Sequence, residues 1–116
     1  MATVYVGSAR SDENGKAYGG QPGDQKNGLE VSKQAWYLHS KGWRVFRAKD
    51  PKHALLIAKI MRWACESDLI GYDQWQRNTL YEELKKSGFT GEPKLSKAVE
   101  TDCSALVRVC LAFCGI

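Results

Sequence analysis

The fold and its chemistry depend most on residues 100–114, which read ETDCSALVRVCLAFC. The polar start leads into an apolar run, and either Thr101 or Asp102 has a side chain typical of a helix N-cap. Cys103 then lies in the first turn, where unpaired backbone N–H groups and the positive end of the helix dipole favour a thiolate. The stretch predicts a helix from about Asp102 to Cys114 with a candidate nucleophile at its start. The alternative interpretation is that Cys103 is a small buried core residue.

Composition indicates one globular domain spanning residues 1–116, with a modest formal charge of +4. No apolar run approaches the length of a membrane span, and the N-terminus lacks the pattern of a signal peptide. Basic residues are interspersed with acidic ones, which argues against nucleic acid as a partner. We therefore expect neither a membrane nor a nucleic-acid partner, and no pattern in the chain predicts a cofactor.

The four cysteines are Cys65, Cys103, Cys110 and Cys114. The last three share one helical face, because offsets of seven and eleven residues return to the same side of a helix. Their spacing lacks the close pairs typical of zinc ligands, and a regular helix is poor geometry for a disulfide between Cys110 and Cys114. We expect no metal site, and we interpret two of these three cysteines, those other than Cys103, as small core residues in a reducing compartment.

The first half of the chain predicts little regular structure. Residues 3–6 (TVYV) are a strand candidate, whereas residues 11–28 form a glycine-rich loop that is either a flexible segment or an ordered functional loop. Residues 42–48 (GWRVFRA) alternate apolar and basic side chains, as in a half-buried strand.

Three helices are predicted after this point. Asp50 and Pro51 have the N-cap and first-turn positions of the first helix. Asp73 is the expected cap of a second helix that ends near Lys86, and Gly88 is its stop signal. The apolar stripe of the first helix consists of Ala54, Ile57, Ala58, Met61, Ala64 and Cys65. The predicted class is α+β, mainly helical, with short strands and a long N-terminal loop.

The ordered motifs resemble a known family. The run DCSALV at residues 102–107, followed by an apolar helix and a final Gly-Ile, closely resembles the nucleophile segment of NlpC-type cell-wall cysteine peptidases. Ala105 replaces the glycine or serine that is usual there. Further motifs resemble a phage and prophage subgroup of peptidoglycan hydrolases: GDQ at 23–25, WY at 36–37, RAKD at 47–50 and YDQWQRN at 72–78.

This resemblance implies the N-terminal, mainly helical part of a papain-like fold in a thiol hydrolase. Cys103 would attack an amide carbonyl in the peptide part of peptidoglycan, Tyr72 would line the substrate cleft, and Asp102 would help to set the nucleophile turn. In that family the base histidine follows the nucleophile helix. The histidines of this chain are His39 and His53, and neither is assigned as the base.

The expected partner is therefore peptidoglycan, and the expected place of action is the cell wall after release from the cytoplasm. Without the sheet that carries the base, we expect weak or no activity and an uncovered apolar face that favours self-association. The alternative interpretation is a non-catalytic helical module whose basic and aromatic surface binds cell wall or a protein partner.

Overall fold

The chain has an α+β fold, which we describe from a computed structural model for residues 4–23 and 30–116. Over these residues three helices and four short strands alternate along the chain. In order they are β1 (Tyr5–Ala9), β2 (Val31–Ala35), α1 (Pro51–Glu66), β3 (Ile70–Tyr72), α2 (Thr79–Lys85), β4 (Val99–Thr101) and α3 (Cys103–Phe113). The predicted fold class is confirmed.

The strands form two separate pairs. β1 and β2 are antiparallel, with Tyr5 opposite Ala35 and Ala9 opposite Val31. β3 and β4 are parallel, and Tyr72 is opposite Thr101. Because α3 begins directly after β4, this second pair carries the start of the cysteine helix next to Tyr72.

The core lies where α1 and α3 pack together and against the strands. Its buried side chains come from all four strands and all three helices, and they include Ala9, Val31, Ile60, Ala64, Ile70, Leu80, Leu84, Val99, Leu106 and Val109. A small residue is needed where α1 crosses β1, since a Cβ added to Gly7 would lie 2.7 Å from Cγ of Met61. The buried side chains of α3 thus hold this helix, whose first residue is Cys103, against the core.

The strand predictions were correct only in part. β1 begins two residues later than the predicted strand, of which residue 3 lies outside the described part of the chain. The strand predicted for residues 42–48 is wrong, because this stretch is irregular and exposed. β2 was not predicted; its sequence, VSKQA, lacks clear alternation and is ordered by pairing with β1.

The helix ends follow local capping signals more closely. Asp50 caps α1 by accepting a hydrogen bond from the Lys52 N–H at 2.9 Å, and Gly88 has the positive φ of 71° expected of a stop. The buried stripe of α1 differs from the prediction, since Ile60 is buried while Ala54 and Ala58 are exposed.

The predicted start of the second helix is wrong. α2 begins at Thr79 after Asn78, six residues beyond the Asp73 that we expected to cap it. Asp73 Oδ1 instead accepts hydrogen bonds from the N–H groups of Trp75 and Gln76, at 2.7 and 3.2 Å. Its carboxylate therefore closes a turn before the helix.

The described part of the predicted 11–28 loop, residues 11–23, is irregular but held in place. Asp12 Oδ1 accepts hydrogen bonds from the N–H groups of Asn14 and Lys16, and the Gly23 N–H donates to the carbonyl of Val99 at 3.1 Å. The remainder, including the Asp24-Gln25 part of the predicted GDQ motif, lies outside the described residues. These contacts join the loop to the second strand pair.

Candidate active site

Cys103 is the first residue of α3 and its side chain is exposed. Asp102 caps the helix, because its Oδ1 accepts hydrogen bonds from the Ala105 N–H at 2.9 Å and from the Ser104 hydroxyl at 3.1 Å. The N–H groups of Cys103 and Ser104 form no hydrogen bond within the described residues. They are therefore free to donate to an anion beside the sulfur.

A second contact fixes the Asp102 carboxylate from outside the helix. Its Oδ2 lies 3.5 Å from Nη1 of Arg77, while its own side chain is largely buried. The carboxylate is thus shared between the helix cap and an ion pair with the turn that precedes α2. Substitution of Asp102 would disturb both the helix start and the position of that turn.

Tyr72 ends β3 beside the cysteine. Its backbone N–H donates to the buried Glu30 carboxylate at 3.1 Å, and its hydroxyl accepts a hydrogen bond from Nε2 of Gln74 at 3.1 Å. Burial raises the pKa of the Tyr72 phenol, and the neighbouring acidic groups of Cys103 and Asp102 add to that rise. The structure therefore brings together the three residues that the sequence singled out: Tyr72, Asp102 and Cys103.

The other three cysteines have less reactive surroundings. Burial raises the pKa of the Cys110 thiol to about 12, and it also raises the pKa of the Cys65 and Cys114 thiols. All four cysteines are free, and Cys103 is the exposed one. Cys103 therefore differs from the others in both position and access.

Neither histidine forms a hydrogen bond or an ion pair with Cys103 within the described residues. His53 is in the first turn of α1, with Nε2 3.9 Å from Oδ2 of Asp50. His39 Nδ1 accepts a hydrogen bond from the Lys41 N–H at 3.0 Å, and its ring packs on aromatic neighbours. We therefore assign neither histidine as the base.

A pair of buried carboxyl groups lies just before the nucleophile turn and was not predicted. Glu100 on β4 hydrogen-bonds to Asp73, and burial together with this contact raises the pKa of Glu100 to about 8. Burial opposes ionisation of Asp73 as well, but hydrogen bonds from Glu100 and from nearby backbone N–H groups outweigh it and lower the pKa of Asp73. At neutral pH the pair therefore holds one proton, mostly on Glu100, beside an ionised Asp73.

A cavity of about 820 Å³ is lined in part by Glu100. Its walls come from the turn at residues 74–79, from α2 and from residues 97–100. Two of its lining residues reach the cysteine site directly, because Gln74 contacts the Tyr72 hydroxyl and Arg77 pairs with Asp102. The cavity is thus large enough for several residues of a peptide. Tyr72, Asp102 and Cys103 do not line it, so it neighbours the cysteine site only through Gln74 and Arg77.

Residues 4–23 and 30–116 contain no group of three or more His, Cys, Asp or Glu side chains placed to hold a metal ion. No helix among them is both long and apolar enough to cross a membrane.

Comparison with known proteins gives one informative result. No curated protein and no solved structure matches the chain significantly. A protein family described as the endolysin-like domain, ELLD, matches residues 6–116. This match covers both strand pairs, all three helices and the whole cysteine site, so the chain belongs to the endolysin-like domain family.

Proposed function

We propose that this chain carries the nucleophile of a cysteine hydrolase that cleaves amide bonds in the peptide part of peptidoglycan. Membership of an endolysin-like family supports a phage-related role at the cell wall. The finer assignment, NlpC-type papain-like chemistry, is supported by the DCSALV motif and by one observation above all. Cys103 is an exposed thiol at the capped start of a buried helix, next to Tyr72.

In the proposed reaction, the sulfur of Cys103 attacks the amide carbonyl and a tetrahedral oxyanion forms. The free N–H groups of Cys103 and Ser104 stabilise this charge. When the intermediate collapses, the C–N bond breaks, the amine leaves with the proton of the thiol, and a thioester remains on Cys103. Water then hydrolyses the thioester, releases the acid and restores the thiol.

Tyr72 and Asp102 have supporting roles in this scheme. The Tyr72 hydroxyl, held by Gln74, lines the cleft beside the sulfur. Asp102 orients the first turn of α3, so that the two N–H groups point at the reacting carbonyl. Because no described residue is assigned as the base that moves the proton, we expect slow turnover.

Competitive alkylation tests whether Cys103 has the required character. The native protein is treated with substoichiometric iodoacetamide at neutral pH, and labelled peptides are quantified by mass spectrometry. We expect Cys103 to be labelled first, since it is exposed and burial raises the pKa of the other three thiols. Labelling of Cys114 as fast as Cys103 would contradict the proposed nucleophile.

A further inference from the structure

The segment that joins β2 to α1, residues 36–49, is the most exposed part of the described chain. Apart from His39 and Ala48, every residue in it is exposed. Phe46 and Leu38 are 88% and 86% exposed. Within this segment, the large apolar side chains left open to solvent are Trp36, Tyr37, Leu38, Trp43, Val45 and Phe46. Soluble domains seldom expose so many together unless the surface binds something.

The aromatic side chains of this segment form an ordered cluster. The ring of Trp43 lies 5.0 Å from that of Trp36, 5.3 Å from that of Tyr37 and 5.4 Å from that of His39, measured between centroids. The Trp43 Nε1–H donates to the carbonyl of Tyr37 at 2.8 Å. Gly42, with a φ of 78°, turns the chain back so that these rings meet. The cluster is therefore already assembled before any ligand binds.

The same segment carries the net charge of the protein. It contains Lys41, Arg44, Arg47 and Lys49 but no acidic residue, and the rest of the chain has equal numbers of acidic and basic residues. None of these four cations forms an ion pair within residues 4–23 and 30–116, whereas Lys59, Lys86 and Lys97 do. The excess charge of +4 is thus concentrated on one exposed, aromatic surface. This corrects the expectation that basic residues are interspersed with acidic ones along the chain.

We propose that residues 36–49 bind a phosphate-bearing polymer of the bacterial cell wall. Free guanidinium and ammonium groups suit phosphodiesters, and arginine can contact a phosphate with two parallel hydrogen bonds. The exposed aromatic faces suit the apolar faces of sugar or polyol units between the phosphates. This binding site uses none of Tyr72, Asp102 and Cys103, so it goes beyond the proposed hydrolysis.

Single-stranded nucleic acid has the same phosphate chemistry but fits the surface less well. Bases stack on aromatic side chains, and the rings here already contact one another around Trp43 at 5.0 to 5.4 Å, so that only their outer faces are open to a base. Family membership also associates the chain with the cell wall.

Co-sedimentation with purified Gram-positive cell walls tests the proposal. The Cys103→Ala protein is used, so that binding is measured without hydrolysis and independently of the proposed reaction. Walls are compared before and after hydrofluoric acid removes their phosphodiester-linked polymers. The test variant is Arg44→Ala/Arg47→Ala, and the matched control is Lys85→Ala/Lys94→Ala, which removes the same charge from exposed positions elsewhere.

We expect extraction of the polymer and the double arginine variant each to weaken binding roughly tenfold or more, and the lysine control to bind like the parent. Added salt should weaken binding as well. Equal binding to extracted and intact walls, or unchanged binding by the arginine variant, would overturn the proposal. Tighter binding to an oligothymidine than to intact walls would identify nucleic acid instead. Sedimentation without walls would identify a second copy of the chain as the partner.

Discussion

The buried Glu100–Asp73 pair makes the stability of this protein depend on pH in a way that one substitution should remove. In the unfolded chain Glu100 ionises near its ordinary pKa of 4.5, whereas in the folded chain its pKa is about 8. Between these values the folded state holds a proton that the unfolded state has lost. The stability that Glu100 contributes to the folded state is therefore fully present at low pH, and it is lost as pH rises towards about 8.

The size of the effect follows from the shift. Each pKa unit corresponds to about 1.4 kcal/mol, so the free energy of unfolding should fall by at most about 5 kcal/mol across this window. Folding lowers the pKa of Asp73 from its ordinary value of 3.8. The stability that Asp73 contributes is therefore lost only as pH falls below 3.8. The two groups therefore act in different pH ranges, and stability should be highest near pH 4 to 5.

The assay is urea unfolding followed by tryptophan fluorescence, at several values between about pH 5 and about pH 9. In Glu100→Gln, the amide can still donate a hydrogen bond to Asp73 but cannot ionise. We expect the free energy of unfolding of this variant to change little with pH. In the control Glu92→Gln, which alters an exposed ion pair with Lys59, the free energy of unfolding should fall with rising pH as in the parent. An equally steep decline in Glu100→Gln would refute the proton-sharing pair.

Three further predictions concern folding. Leu106→Ala should lower the free energy of unfolding by about 2 to 5 kcal/mol, because Leu106 is completely buried where α3 joins the core; a change within error in urea unfolding would contradict this packing. Asp102→Ala should lower the free energy of unfolding by about 1 to 2 kcal/mol, because the helix loses its cap. Asp102→Asn keeps a capping oxygen and should be closer to the parent; equal losses in the two variants would assign the effect to the charge. Gly71→Ala should cost about 1 to 3 kcal/mol, since the added methyl would collide with the backbone carbonyl of Gly23. An unperturbed Gly23 amide resonance in this variant would show that the loop does not pack there.

Features set by neighbouring residues could be predicted from the sequence. The caps at Asp50 and Asp102 depend on side chains that bond to N–H groups two or three residues away. Asp50 was predicted, and Asp102 was one of two candidates, with Thr101, for the cap of α3. The position of Cys103 at a helix start follows from the same local rule. These contacts form within one turn of chain, so their signal does not depend on the tertiary fold.

Contacts between distant residues could not be predicted in this way. Glu100 meets Asp73 only because β4 lies parallel to β3, and no local pattern indicates that pairing. The alternation in residues 42–48 indicated a strand, but β1 pairs with β2 and β3 with β4, so no described strand pairs with it. Trp43 instead packs in an exposed ring cluster, where alternation has no bearing on burial.

Release of new amino groups from purified peptidoglycan tests the central claim, that Cys103 is the nucleophile of a wall hydrolase, most directly. The parent, Cys103→Ala and the matched control Cys114→Ala are incubated with reduced thiols, and free amines are measured over time. We predict slow, equal release by the parent and Cys114→Ala and none by Cys103→Ala. Release by Cys103→Ala at the parent rate, or no release by the parent, would contradict the claim.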